Sequence, residues 1–110
     1  NIPYIDRLEN WKLPNMIKKY IITINFCTKC GWLMRAAWMA QEIVNTYVKD
    51  IQSVNLVPGE DGKFEIFCDK QAIFVRHEEG RFIEIKEIKK RIRDFIDPER
   101  SLGHIDRKIK

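Results

Sequence analysis

The feature that most constrains this chain is a C-x-x-C motif, Cys27 to Cys30, at a junction between a strand pattern and a helix pattern. Residues 19–26 are rich in β-branched and aromatic side chains, which is typical of a buried strand. Residues 32–49 carry apolar side chains at helical spacing. Because the first turn of a helix brings residues i and i+3 within disulfide reach, this placement predicts a dithiol that can close into a bridge.

The predicted first helix has one continuous apolar face, made of Leu33, Ala36, Ala37, Ala40, Ile43, Val44 and Tyr47. Trp32 and Met39 flank the other edge of the helix, whereas Met34 and Trp38 lie away from the apolar face. Apolar side chains outside a core stripe can mark a partner surface, so Trp32, Met34 and Trp38 form a candidate docking surface. The alternative is that a neighbouring strand, loop or tail covers them.

The remaining pattern predicts strands at residues 51–57, 63–68 and 71–76 and a second helix at residues 83–97, ended by Pro98. The order is therefore β-α-β-β-β-α. The first β-α-β unit should be a parallel crossover, and the next two strands an antiparallel hairpin. This order predicts an α/β, thioredoxin-like fold with a mixed four-stranded sheet.

Alternation predicts which side chains face the core. Phe64, Ile66 and Cys68 share one face of their strand. In the next strand, the first of two alternating faces comprises Ala72, Phe74 and Arg76, and the second comprises Ile73 and Val75. The apolar stripe of the second helix comprises Ile85, Ile88, Ile92, Phe95 and Ile96.

The chain divides into three parts. Met16 resembles a native start directly before the first strand, so residues 1–15 are expected to be an added or upstream extension. Residues 16–98 form the predicted domain. Residues 99–110 are polar and basic and are expected to be a loosely held tail.

The position of the motif predicts thiol–disulfide chemistry. Free backbone N–H groups and the helix dipole stabilise a thiolate at a helix start, where the pKa of a cysteine can fall from about 8.5 to roughly 3.5–7.5. Lys29 adds a positive charge, and Thr28 is expected to cap the turn. In this mechanism Cys27 attacks a disulfide and Cys30 resolves the mixed disulfide.

A zinc site and a pair of inert buried thiols are the alternatives for Cys27 and Cys30. A structural zinc site uses four ligands, often as two close pairs, and here the further candidates, Cys68, His77 and His104, are single residues. Cys68 alternates with core positions and is expected to be a buried strand thiol. Thr28 and Lys29 keep the motif polar, which favours the redox interpretation and no bound metal.

Composition narrows the classes of partner that this chain is expected to bind. The net charge is only +4, and the basic second helix intersperses its cations with Glu84, Glu87 and Asp94, so we expect no nucleic-acid partner. No apolar run approaches the roughly 18–20 residues of a membrane span, so we expect no membrane partner. Three cysteines are an odd number, which argues against a secreted disulfide framework and favours a cytoplasmic protein.

The chain resembles the selenoprotein W/T/H-like family, also called the Rdx family, and is similar to a bacterial, all-cysteine member. The resemblance covers about residues 18–106. It is carried by Ile22 to Cys30, Trp32 to Glu42, Leu56 to Gly59, Phe64 to Ile66, Arg91 to Asp94, and Asp97 to His104. One departure is Phe82-Ile83, where the family often has Phe-Pro, and residues 1–15 match no counterpart in it.

The resemblance implies a thioredoxin-like fold and a role in cell redox homeostasis, with glutathione as a candidate co-substrate. We expect no bound cofactor. Selenocysteine-containing relatives carry C-x-x-U, so Cys30 matches the selenocysteine position. That match implies attack by Cys30, whereas the helix-dipole argument favours Cys27, and the order stays open here. Whether the chain is an enzyme also stays open. The alternative function is an interaction module whose dithiol only regulates docking to a client protein or a second copy of the chain.

Overall fold

The computed structural model describes residues 18–106, and the expected boundary between residues 15 and 16 lies outside them. Its strands are β1 (Tyr20–Cys27), β2 (Ile51–Gly59), β3 (Phe64–Cys68) and β4 (Gln71–Val75). Its helices are α1 (Leu33–Tyr47), α2 (Arg76–Glu79), α3 (Ile85–Ile96) and a short 3-10 helix (Gly103–Asp106).

The strands form one mixed sheet in the order β2-β1-β3-β4. β1 pairs parallel with β2, with Ile22 opposite Val54, and antiparallel with β3, with Ile24 opposite Ile66. β3 and β4 form an antiparallel hairpin. The parallel crossover followed by a hairpin confirms the predicted thioredoxin-like α/β fold.

The core lies between one face of the sheet and the helices α1 and α3. Alternate residues of β1 and β3 are buried on this face, as period-two patterning requires, and they are Ile22, Ile24, Phe26, Phe64, Ile66 and Cys68. Ile88 and Ile92 of α3 belong to the same cluster. The hydroxyl of Tyr47, at the end of α1, donates a hydrogen bond to the carbonyl of Lys89 over 2.5 Å, which links the two helices.

The buried face of α1 differs from the predicted one. Ala36, Met39, Ile43 and Tyr47 are buried, whereas Leu33 and Val44 are more than one third exposed. The prediction therefore placed Met39 wrongly at the edge of the helix. The apolar positions of α1 span more of its circumference than the sheet covers, so sequence periodicity alone left the centre of the face ambiguous.

The predicted end of β4 is also wrong. The strand ends at Val75, and Arg76 begins α2, a short helix that the pattern did not predict. A register shift between Ile66 and Phe67 interrupts the pairing with β4, so Ile73 and Phe74 are both buried instead of alternating. In α3 the predicted stripe holds at Ile88 and Ile92, but Phe95 is 43% exposed.

Hydrogen bonds join the described part of the tail to the predicted domain. Arg100 makes two hydrogen bonds, of 2.8 and 2.9 Å, to the carboxylate of Asp50. Arg93 donates to the carbonyl of Arg100 and to the carboxylate of Asp106, which also accepts the backbone N–H of Leu102. These bonds attach residues 100–106 to the ends of α1 and α3. Among residues 18–106, no helix is long and apolar enough to cross a membrane.

Candidate redox site

The two cysteines of the C-x-x-C motif are joined as a disulfide, with their Cα atoms 5.4 Å apart. Cys27 is the last residue of β1, and residues 28–31 form a turn. The N–H of Gly31 donates to the carbonyl of Thr28 over 3.2 Å, and Gly31 has φ of +75°, which glycine adopts without steric cost. The turn brings the two sulfurs together.

The position of the pair relative to α1 differs from the prediction. α1 begins at Leu33, so the cysteines lie in a turn before the helix rather than in its first turn. Closure of the i, i+3 pair is therefore a property of the turn. Trp32 and Gly31 separate Cys30 from the first residue of α1. The helix dipole therefore stabilises a thiolate here less than in the first turn, because its effect falls off quickly with distance from the helix end.

The two cysteines differ in exposure. Cys27 is only 2% exposed, and its N–H donates to the carbonyl of Lys63 over 2.7 Å, at the start of β3. Cys30 is exposed. The N–H of Thr28 donates to the carbonyl of Gly59 over 3.3 Å, which ties the turn to the end of β2. The strand therefore holds Cys27 in place, while Cys30 lies in an exposed turn.

Thr28 and Lys29 are both exposed within this turn. The backbone of Thr28 stabilises the turn through its N–H and its carbonyl. The roles predicted for the side chains, capping by Thr28 and a positive charge from Lys29, stay predictions.

The candidate docking surface separates into two parts. Met34 is 83% exposed and Trp38 is 47% exposed, and Leu33 beside them is also exposed. Trp32 is half-buried and packs edge-on against Phe64 and Phe82, with ring centroids 6.1 and 5.0 Å apart. Trp32 thus belongs to an aromatic cluster under the redox turn, whereas Met34 and Trp38 face solvent.

Two arginines beside this cluster were missed by the sequence analysis. The guanidinium groups of Arg35 and Arg76 both lie over the ring of Phe82. Arg35 is on the first turn of α1, and Arg76 follows β4. No local pattern pairs these positions, because the sheet topology brings them together.

The remaining candidate ligands do not form a metal site. Cys68 is fully buried in β3, as predicted, and burial raises the pKa of its thiol to about 12. His77 lies in α2 and His104 in the 3-10 helix. Within residues 18–106, no group of three or more His, Cys, Asp or Glu side chains is arranged to hold a metal ion.

Comparison with known proteins bears on the family and the fold of this chain. The model of the Rdx family matches residues 21–94, which include both cysteines and both arginines. The crystal structure of a selenoprotein W-related protein from Vibrio cholerae is 44% identical, covers 73% of this chain and 100% of its own, and superposes with a TM-score of 0.71.

A second crystal structure, of a protein from Bordetella parapertussis, is also 44% identical; the match covers 70% of this chain and 98% of the other, with a TM-score of 0.68. No curated protein matches the chain. The family model spans most of the sequence, and the structural match extends over the whole of the Vibrio cholerae chain. The resemblance noted from the sequence is confirmed: this chain belongs to the Rdx family.

Proposed function

We propose that this chain is a thiol–disulfide redox protein that uses Cys27 and Cys30 and contributes to cell redox homeostasis. The observation that carries the proposal is the pairing of one buried and one exposed cysteine in disulfide contact at the end of a strand. A buried inert pair would not expose Cys30. Membership of the Rdx family and the likeness to a selenoprotein W-related protein support a redox role.

In the proposed mechanism Cys30 is the attacking residue and Cys27 the resolving residue. An attacking thiolate must reach an external disulfide, and Cys30 is exposed whereas Cys27 is 2% exposed. The Cys30 thiolate attacks one sulfur of the substrate disulfide, whose S–S bond breaks and whose second half leaves as a thiol. Cys27 then attacks the Cys30 sulfur of the mixed disulfide and releases the first half, so two electrons pass from the protein to the substrate.

The substrates in this proposal are glutathione or client-protein disulfides, with no bound cofactor. The cytoplasm is the proposed setting, because a protein dithiol that has been oxidised there can be reduced again by the thiol pool. Lys29 is proposed to favour the Cys30 thiolate, since it is adjacent in the same exposed turn.

Single-cysteine variants test the order of attack. The reduced Cys27→Ser variant is mixed with glutathione disulfide and analysed by intact mass, and it should accumulate a mixed disulfide on Cys30. The Cys30→Ser variant should react at least about tenfold more slowly, because its remaining site thiol is buried. The Cys68→Ser variant is the matched control and should oxidise like the natural protein.

Two results would contradict the proposal in different ways. If the Cys30→Ser variant forms the mixed disulfide faster than the Cys27→Ser variant, Cys27 is the attacking residue. If the natural protein forms no mixed disulfide and no reversible Cys27–Cys30 bridge after mild oxidation, the redox function itself is wrong.

The exposure of Met34 and Trp38 favours a second candidate function, in which the fold is an interaction module and the dithiol regulates docking. The occupant would be a client protein or a second copy of the chain. Sedimentation of the natural protein and of a Met34→Gln/Trp38→Gln variant, each reduced and oxidised, tests the homodimer. A dimer that depends on redox state and that the substitutions dissociate would support a regulated homodimer. A monomer under all conditions would exclude the homodimer.

A further inference from the structure

Two guanidinium groups lie over one aromatic ring near the redox turn. The guanidinium carbon of Arg35 lies 3.9 Å from the ring centroid of Phe82. That of Arg76 lies 4.8 Å from the same centroid and 4.9 Å from the centroid of Trp32. A contact of this kind holds the positive charge against the face of the ring.

A continuous set of contacts joins these arginines to the dithiol. Trp32 follows Cys30 by two residues, and its ring contacts Phe82. Phe82 also contacts Phe64, at 5.0 Å between centroids, and Phe64 pairs with Phe26 immediately before Cys27. The end of β1, the start of β3 and the end of β4 share one end of the sheet, so the two arginines and the cysteines lie at that same end.

Neither arginine has an acidic partner in the part of the chain that the structure describes. In residues 18–106, the ion pairs of Arg91, Arg93 and Arg100 with carboxylates have N–O distances between 2.6 and 3.2 Å. No described carboxylate lies within salt-bridge distance of Arg35 or Arg76. The Nε–H of Arg76 is buried and donates to no acceptor among these residues. A buried donor without a partner is costly, so the position of this guanidinium depends on its contacts with the rings of Trp32 and Phe82.

The two positive charges also repel each other. Because both lie over Phe82, their separation cannot exceed the sum of the two distances to its centroid, which is close to the Debye length of about 8 Å at physiological salt. An anion bound between or across them would relieve this repulsion. Guanidinium groups match carboxylates in particular, because their planar fork offers paired N–H donors.

We infer that Arg35 and Arg76 form a carboxylate-binding subsite for the disulfide that Cys30 attacks, so the preferred co-substrate is a small, carboxylate-bearing disulfide. This inference rests on the proposed redox function and specifies its substrate class. The subsite holds the carboxylate while the S–S bond of the co-substrate is broken, and two electrons from the Cys27–Cys30 dithiol convert it into two thiols. The arginines position the substrate and take no part in the electron transfer.

Two probe disulfides that differ in charge test the inference. The reduced protein is mixed with 3,3′-dithiodipropionate, a dianion, or with bis(2-hydroxyethyl) disulfide, which is uncharged, and oxidation is followed by acid quench, alkylation and intact mass. The Arg35→Gln/Arg76→Gln variant should lose about tenfold in rate with the dianion, which corresponds to one charge-assisted contact, and should stay within about twofold with the neutral probe. The Arg35→Gln single variant, at an exposed position, should show the same selective loss in smaller measure if the double variant does not fold.

Arg81 provides the matched control. It is exposed, adjacent to Phe82, and donates to the carbonyl of Phe82 without any described ion pair. Arg81→Gln removes the same charge from the same segment and should leave both rates within about twofold, because the subsite depends on oriented guanidinium groups and not on net charge alone. If Arg81→Gln loses as much rate with the dianion as the arginine variants do, general electrostatic attraction explains the preference and the subsite is wrong.

The outcomes separate this inference from the function on which it rests. If the natural protein reacts with both probes and the arginine variants leave the ratio of the two rates unchanged, the subsite is wrong and the redox function stands. If the natural protein reacts with neither probe, the proposed redox function fails and the subsite fails with it.

Discussion

Two sets of arginines, at opposite ends of the sheet, have different partners. At the end where β1 starts, Arg100 pairs with Asp50 and Arg93 pairs with Asp106, and these bonds hold the tail against the helices. At the end where β1 stops, Arg35 and Arg76 stack on Phe82 with no described acidic partner. The paired charges contribute to stability, whereas the two arginines without a carboxylate partner among residues 18–106 are the ones proposed to bind an anion. The same residue type therefore serves structure at one end and the proposed recognition at the other.

The largest expected difference between the ends is in thiol reactivity. Cys68 lies opposite Ile22 near the start of β1, and burial raises the pKa of its thiol to about 12. In the reduced protein at pH 7.5, iodoacetamide should modify Cys68 at least about a hundredfold more slowly than Cys30, because the thiolate is the reactive form. Peptide mapping of timed samples measures both rates. Comparable labelling of the two residues would show that burial does not separate the two ends.

The next largest effect should come from removing one aromatic ring at each end. Phe82 supports both unpaired arginines and contacts Trp32 and Phe64, so Phe82→Ala should lower the free energy of unfolding by about 3 kcal/mol and abolish the preference for the anionic probe. Phe95 is 43% exposed and packs edge-on against Tyr20 alone among the described rings, so Phe95→Ala should cost about 1 kcal/mol.

Urea unfolding at one fixed redox state measures both losses in the free energy of unfolding. The ratio of the oxidation rates with the two probe disulfides measures the preference for the anionic probe. If Phe95→Ala alters the preference for the anionic probe as much as Phe82→Ala does, the proposed difference between the two ends of the sheet is wrong.

A smaller effect should distinguish a paired arginine from an unpaired one. Arg100→Gln removes two hydrogen bonds to Asp50, and because the pair is partly exposed the loss should be about 1 kcal/mol in the free energy of unfolding. Arg35→Gln removes no ion pair among the described residues, only the cation–π contact with Phe82, and should lower this free energy by about 0.5 kcal/mol. Urea unfolding of both variants measures the difference, and an equal loss would mean that Arg35 also serves structure.

The smallest expected effect is the pH dependence of the Asp50–Arg100 pair. The hydrogen bonds from Arg100 lower the pKa of Asp50 below its ordinary value. A carboxylate with a lowered pKa stabilises the fold above its unfolded pKa, about 3.9, and this contribution is lost as the pH falls through the folded pKa. The difference in unfolding free energy between the natural protein and Arg100→Gln should therefore be constant near neutral pH and shrink below about pH 4. A difference that stays constant to pH 2 would exclude this pair as the cause.

Much of the fold could be read from local patterns. Alternation correctly placed Phe64, Ile66 and Cys68 on one buried face, because side chains in a strand alternate with a fixed period of two. The β-α-β-β-β-α order led to the mixed sheet, since parallel strands need a crossover and a tight turn joins antiparallel ones. Prediction failed where one element has too many apolar positions, as in α1, or where a register shift breaks the alternation, as in β4.

Of the candidate site, the sequence determined the cysteines and their spacing, because an i, i+3 pair between a strand and a helix is a local pattern. It did not determine that a turn before α1, and not the helix itself, closes the pair, nor that Cys27 is buried while Cys30 is exposed. The tertiary structure alone decided that Arg35 and Arg76, far apart in the chain, converge on Phe82. The reason is physical: spacing along the chain dictates local geometry, whereas burial and the meeting of distant charges depend on how the strands and helices pack.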